Sequence, residues 1–268
     1  MQNLREKYEP FIETTAENIA HYLAPFIDQV DSLYTWGETA VNANFVRDNV
    51  DFDFNTLSSN YEKTVQLKSK LQDLLKNAST FDERYPIGEY FVRDWGGVKT
   101  NKNLKETLAA FNDLSSPYGI GTLEGISTWS KYLSLLHDNA HIYDSRVAYA
   151  INAINYISGT SDYVFSSPDS RNAKLGLIDI ETLFVVAKLT TSEEFLSKDI
   201  LKHRQVASKT KRELYLPESI TYDVYLDLLS RTEVKMNLSE GEAFKVEMLL
   251  FCLAPQNIFE SLIDHLRA

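Results

Sequence analysis

The sequence predicts an all-α protein, for two reasons: its apolar residues recur mostly at spacings of three and four, and glycine and proline are sparse, 10 and 7 in 268 residues. No β-rich region is evident. With 44% hydrophobic residues the chain is long enough to bury a large core. The expected organisation is one globular helical unit, 1–268, made of two closely packed subdomains, 1–114 and 115–268.

Between residues 3 and 34, Phe11, Ile12, Ile19, Leu23, Phe26, Ile27, Val30 and Leu33 fall at helical intervals, with breaks expected at Pro10 and Pro25. The Asn/Asp-rich stretch 41–60 reads as a long connection. Ser58 or Ser59 then caps a second long helix whose inner stripe is Val65, Leu67, Leu71, Leu74 and Leu75. A further helix is expected at about 102–114, stopped by Ser115, Ser116 and Pro117. Gly119 to Ile154 reads as a glycine-punctuated helical hairpin. In it a tight turn at Gly125 leads into one helix, and Asp144 or Ser145 caps the next, which has Val147, Ala150, Ile151 and Ile154 inside. The polar stretch 158–172 is a loop, and helices follow at about 176–189, 192–207, 219–230 and 239–252. Ser239 and Glu242 form a capping box for the last of these, and Pro255 opens the final helix.

The net charge of −11 argues against general polyanion binding, because affinity for nucleic acid comes largely from neutralised phosphates. Two basic clusters stand out locally. Lys198, Lys202, Arg204, Lys209, Lys211 and Arg212 face only Asp199, and Arg93, Lys99, Lys102 and Lys105 surround Gly96 and Gly97. Each reads either as a phosphate-facing strip or as a solvated face. No run approaches the roughly 18 apolar residues of a membrane span. MQNLREKYEP lacks the basic start and apolar core of a signal peptide, so the expectation is a cytoplasmic protein with no membrane partner. Cys252 is the only cysteine, which excludes an internal disulfide, a thiolate zinc site and a cysteine-ligated cluster. His137 and His141 are four apart, but HDNAH reads as a helix end and turn, so neither metal nor cofactor is expected.

The segment Gly119–Ile154 carries the clearest chemistry. Gly119, Gly121, Gly125 and Ser127 are placed to turn backbone N–H groups toward a phosphate, with the Asp144 carboxylate at a helix start behind them to stabilise a developing cation. The bland alternatives are an N-cap role for Asp144 and a core position for Trp129. Upstream, Tyr90, Phe91 and Trp95 adjoin Gly96-Gly97, Arg93, Asp94 and Asn101. This reads as a base-reading or strand-wedging loop, or as a buried aromatic anchor before a glycine turn. Tyr143 is a second candidate pocket wall, with Tyr34 and Trp36 behind it.

Gly125-Ile126, Trp129 and the run Asp144-Ser145-Arg146-Val147 resemble the helix-hairpin-helix DNA glycosylase superfamily. In that superfamily a Gly-(apolar)-Gly hairpin precedes a helix, and an Asp-(Ser/Thr)-(His/Arg)-Val run carries the catalytic aspartate. The resemblance implies an alkyladenine/8-oxoguanine glycosylase-like fold, a DNA partner, no cofactor and Asp144 as the catalytic carboxylate. Trp129 stands where bifunctional members carry lysine and alkyladenine-type members carry tryptophan, which implies a monofunctional N-glycosylase. Trp129, Tyr143, Trp95, Arg93 and Arg146 would contact the flipped nucleotide, and Lys209, Lys211 and Arg212 the DNA backbone. Two departures are visible: Ser127 replaces the second hairpin glycine, and the Trp129-to-Asp144 spacing is shorter than in the family. Lys131, two positions past the family's lysine, would make the enzyme a bifunctional glycosylase/lyase if it supplied the amine. These departures and the acidic balance point to an unusual base, such as a modification in foreign (phage) DNA. The reading from another class is a helical DNA-binding or protein-interaction module without chemistry.

Overall fold

The computed structural model describes residues 2–168, 175–190 and 208–268. The helix expected at 192–207, with Lys198, Lys202 and Arg204, lies outside them. Among the described residues there is no strand, only a parallel bridge between Val164 and Tyr215, and the all-α expectation holds.

Helix α1 (Gln2–Leu23) runs through exposed Pro10, because buried Tyr8 before it and buried Phe11 and Ile12 after it hold the chain. Pro25 does break the pattern, giving a 3₁₀ turn (Ala24–Gln29) before the short α2 (Val30–Leu33). The connection expected at 41–60 holds one short helix, α3 (Asn44–Asn49), between 3₁₀ turns. Helix α4 (Asn60–Asn77) opens with a capping box in which Ser59 and Glu62 satisfy each other's backbone N–H. An unexpected helix follows. Thr80 and Glu83 form a second capping box for α5 (Phe81–Tyr90), which winds on into a π turn (Phe91–Trp95).

Next come α6 (Leu104–Phe111), α7 (Ile126–Leu136), α8 (Ser145–Ile157) and α9 (Ile180–Thr190). Residues 208–214 are helical (α10), and α11 (Glu218–Lys235), α12 (Ala243–Leu253) and α13 (Phe259–Arg267) complete the chain. Helix α12 begins at Ala243, later than expected: Glu242 does reach back to the Ser239 N–H at 3.0 Å, but as the helix's own N-cap. Nor does Pro255 open a separate helix, since a π turn (Ala254–Ile258) carries the backbone straight into α13. The resulting Ala243–Arg267 run is long and apolar enough to cross a membrane by length and composition, but half of its most apolar window is buried inside the fold.

The buried side chains form two clusters. The larger joins α1, α8, α11, α12 and α13; the smaller joins the 40–54 stretch, α4, α5 and α6. Helix α7 serves both, sending Ile126, Trp129 and Leu133 to the first and Tyr132 and Leu135 to the second. The expected division at residue 114 therefore misplaces α1, which packs against α11 and α8. Helix α8 is buried along most of its length and uses its buried amides as clips. Asn152 pairs with both backbone groups of Phe165 (3.0 and 2.8 Å), and Asn155 donates to Thr15 Oγ1 (3.0 Å) and accepts from Asn18 (3.0 Å).

Candidate active site

A cavity of about 960 Å³ opens on the seam between the two clusters. Five pieces of chain meet there: the residues after α2, the turn after the π segment, the first turns of α7 and α8, and one side of α12. This size stands at the upper end of the range of small-molecule sites, about 300–1,000 Å³.

Asp144 occupies the N-cap of α8 in extended conformation, and its Oδ1 accepts from the N–H groups of Arg146 (2.9 Å) and Val147 (3.1 Å). The capping bonds thus use one carboxylate oxygen, and the half-buried side chain lines the cavity. Asp144 is thus the N-cap, as one of its two expected roles required, and its carboxylate also borders the cavity.

The chain reaches Asp144 through residues 140–143, a stretch without regular secondary structure. Its buried backbone groups must be satisfied individually, and side chains do so. Tyr222 donates to His141 O (2.8 Å), Tyr225 donates to Ile142 O (2.7 Å), Glu247 accepts from Ile142 N–H (3.0 Å), and Ser130 Oγ accepts from Tyr143 N–H (3.1 Å). Three helices therefore hold the approach to the carboxylate.

Lys131 lies on α7 with its ammonium on Ser127 O at 2.7 Å. Burial holds its pKa below the ordinary lysine value, against the opposing pull of the Asp144 and Glu247 carboxylates. Its stem lies against Gly96, where a Cβ would meet Lys131 Cδ at 2.6 Å and Cε at 2.7 Å. Gly97, next along, needs glycine for its backbone, with φ at +70°. Arg146 stands over two rings, 4.5 Å from the Phe251 centroid and 5.3 Å from that of Trp36, which fixes the guanidinium plane. Trp36 is itself held by its indole N–H on Trp95 O at 2.9 Å. With Lys99 at the rim, three basic side chains stand with two acidic ones, Asp144 and Glu247, so the cavity departs from the acidic balance of the whole chain.

Of the residues singled out from sequence, the cavity brings together Trp95, Ser127, Lys131, Asp144 and Arg146, joined by Trp36 and Tyr34. Others stand elsewhere. Trp129 is a correction: it is fully buried, its indole N–H bonds to Glu124 O at 2.9 Å, and its ring stacks on Phe111 at 5.0 Å, so it cannot touch a ligand. Tyr143 is another, sealed in the larger core with its hydroxyl on Ser166 O. Arg93 holds Glu89 (2.7 Å) and Asn101 O (3.3 Å), bracing the glycine turn from behind. The Gly119 N–H does not face a phosphate either, being spent on the buried Asp223 carboxylate at 2.9 Å. Gly119, Gly121 and Gly125 all take positive φ, as turns require, and Gly125 lines a separate hollow of about 560 Å³ at the start of α7. Lys209, Lys211 and Arg212 are exposed on α10 and do not line the cavity.

Sequence reasoning missed Glu247 and Phe251. The visible signal for Glu247 was a lone acid in the apolar run VEMLLF, buried at 8% exposure. Cys252, beside Phe251, is kept from thiolate chemistry by burial, which pushes its pKa up to about 12. His137 ends α7 while His141 lies in the 140–143 stretch, so the two share no helix face. Among the described residues no group of His, Cys, Asp and Glu converges as a metal set. Comparison of the chain with protein-family models, curated proteins and solved structures finds no match.

Proposed function

We propose that the protein is a DNA glycosylase that takes a flipped base into the cavity and cleaves its N-glycosidic bond, leaving an abasic site. The observation that carries this reading is the Asp144 carboxylate, fixed by two backbone bonds at the head of α8 and lining a cavity of about 960 Å³. As the bond between C1′ and the base nitrogen breaks, its electrons leave with the base, which takes up a proton from solvent. The sugar gains oxocarbenium character that a fixed anion stabilises. Water then adds to C1′ and gives up a proton to Asp144 or solvent. Trp95 and Trp36 supply aromatic faces for an extruded base, and Arg146 and Lys99 supply cations for the flanking phosphates. The substrate proposed is a modified or damaged base, with modified foreign DNA as the first place to look. The test is abasic-site formation on duplexes carrying different bases, with Asp144→Asn as the control.

A second reading, glycosylase with lyase activity, is favoured by Lys131, whose desolvated amine lines the same cavity while Trp129 does not. In that chemistry the neutral amine forms a C–N bond to C1′ as the base departs with the bonding pair and a proton. The ring opens to an iminium, and loss of a C2′ proton expels the 3′ phosphate. Borohydride reduces the iminium to a stable adduct, so trapping of a covalent protein–DNA complex that Lys131→Gln abolishes supports this route. Abasic-site formation without trapping supports hydrolysis.

A further inference from the structure

We infer that Glu247 is the positioning residue for Asp144, acting from α12 across the cavity wall through the backbone that leads to the carboxylate. This inference rests on the proposed glycosylase reading for its kinetic consequence only.

Ile142 stands two residues before Asp144 in a stretch with no sheet partner, and its buried N–H has a carboxylate as acceptor, Glu247 Oε2 at 3.0 Å. The neighbouring carbonyls of His141 and Ile142 are both held by tyrosines of α11. On the donor side of this stretch Glu247 holds Ile142 and Ser130 holds Tyr143, and Glu247 is the charged one of the two anchors. Removing it leaves the Ile142 N–H without its protein acceptor and frees this stretch from α12. The same Oε2 stands 3.4 Å from His141 Nδ1, so the carboxylate lies against two adjacent residues and bonds one of them. In the apolar run VEMLLF this acid faces the 140–143 stretch and supplies the acceptor its Ile142 N–H needs. The anchor also accounts for the reach of the contact: Ile142 and Glu247 are 105 residues apart, and their bond ties the head of α8 to α12.

The consequence is kinetic. A displacement of about 1 Å in a positioned group costs on the order of 100-fold in rate. Two variants separate the roles: Glu247→Gln keeps a side-chain oxygen for the Ile142 N–H and loses the charge, and Glu247→Ala loses both. The expected result is kcat on the responsive duplex falling roughly 100-fold in Glu247→Ala with KM within about twofold, and recovery to within about tenfold of wild type in Glu247→Gln. Two outcomes overturn the inference: Glu247→Ala with kcat near wild type, or Glu247→Gln as impaired as Glu247→Ala. A measurement independent of catalysis keeps the inference separate from the glycosylase reading. Amide hydrogen exchange at Ile142, Arg146 and Val147 is expected to accelerate in Glu247→Ala and to stay near wild type in Glu247→Gln. Unchanged exchange in Glu247→Ala refutes the anchor whatever the enzyme does. Altered exchange in a protein that acts on no base keeps the anchor and discards the glycosylase.

Discussion

Replacing Asp144 separates its two jobs. Asparagine caps helices about as well as aspartate, so Asp144→Asn keeps an oxygen for the Arg146 and Val147 N–H groups and loses only the charge. Alanine loses both. At an effective dielectric constant of about 20, suited to a half-buried group, unit charges about 4 Å apart attract by about 4 kcal/mol. At about 1.4 kcal/mol per decade that is close to three decades of rate, in line with the 10²–10³-fold losses seen when a preorganised stabilising group is removed. Both variants are therefore expected to lose roughly 10²–10³-fold in single-turnover base release. Only Asp144→Ala loses the cap, worth about 1 kcal/mol, or about 2–4 °C in melting temperature for a domain of this size. The assay is quantified abasic-site cleavage alongside thermal unfolding. Asp144→Asn with wild-type turnover would refute the electrostatic role and leave only the cap.

The depressed pKa of Lys131 predicts a pH-dependent stability. A lysine whose folded pKa lies below its unfolded value of about 10.4 disfavours the fold wherever the unfolded chain holds a proton the native one lacks. The native protein thus loses stability as pH falls from about 10.4 and levels off below the folded pKa. Lys131→Met removes that loss, so its stability relative to wild type should grow as pH falls; a pH-independent difference in denaturant midpoint would contradict the burial argument. Gly96→Ala forces a Cβ to within 2.8 Å of Val92 O as well as onto the Lys131 stem. A destabilisation of about 1–3 kcal/mol and a displaced Lys131 are expected, read by denaturation and lysine methylation. For Arg146→Ala the prediction is a weaker dependence of DNA affinity on salt, the log–log slope changing by about 0.9 as one phosphate contact goes; an unchanged slope would place Arg146 off the backbone.

Local signals exposed the cap at Asp144, because an acid before Ser-Arg-Val and an apolar stripe reads the same in sequence and in space. Trp129 could not be read that way: a tryptophan one turn past Gly125 looks the same whether it faces a cavity or Phe111, and only packing decides. Helix α5 went unseen because Pro86 and Gly88 inside it mimic a loop, although Thr80 and Glu83 announced its start. Gly88 is there for closeness: a Cβ would come within 2.8 Å of Tyr132 on α7. Glu247 escaped because its partner, Ile142, is 105 residues away, and a single sequence holds no record of that distance.

Helix α7 is a party wall. One face belongs to each core, and its first turns also line the cavity through Ser127 and Lys131. A substitution in either core that displaces this helix is therefore transmitted to the cavity wall. Selection for tight packing and selection for access then act on the same eleven residues.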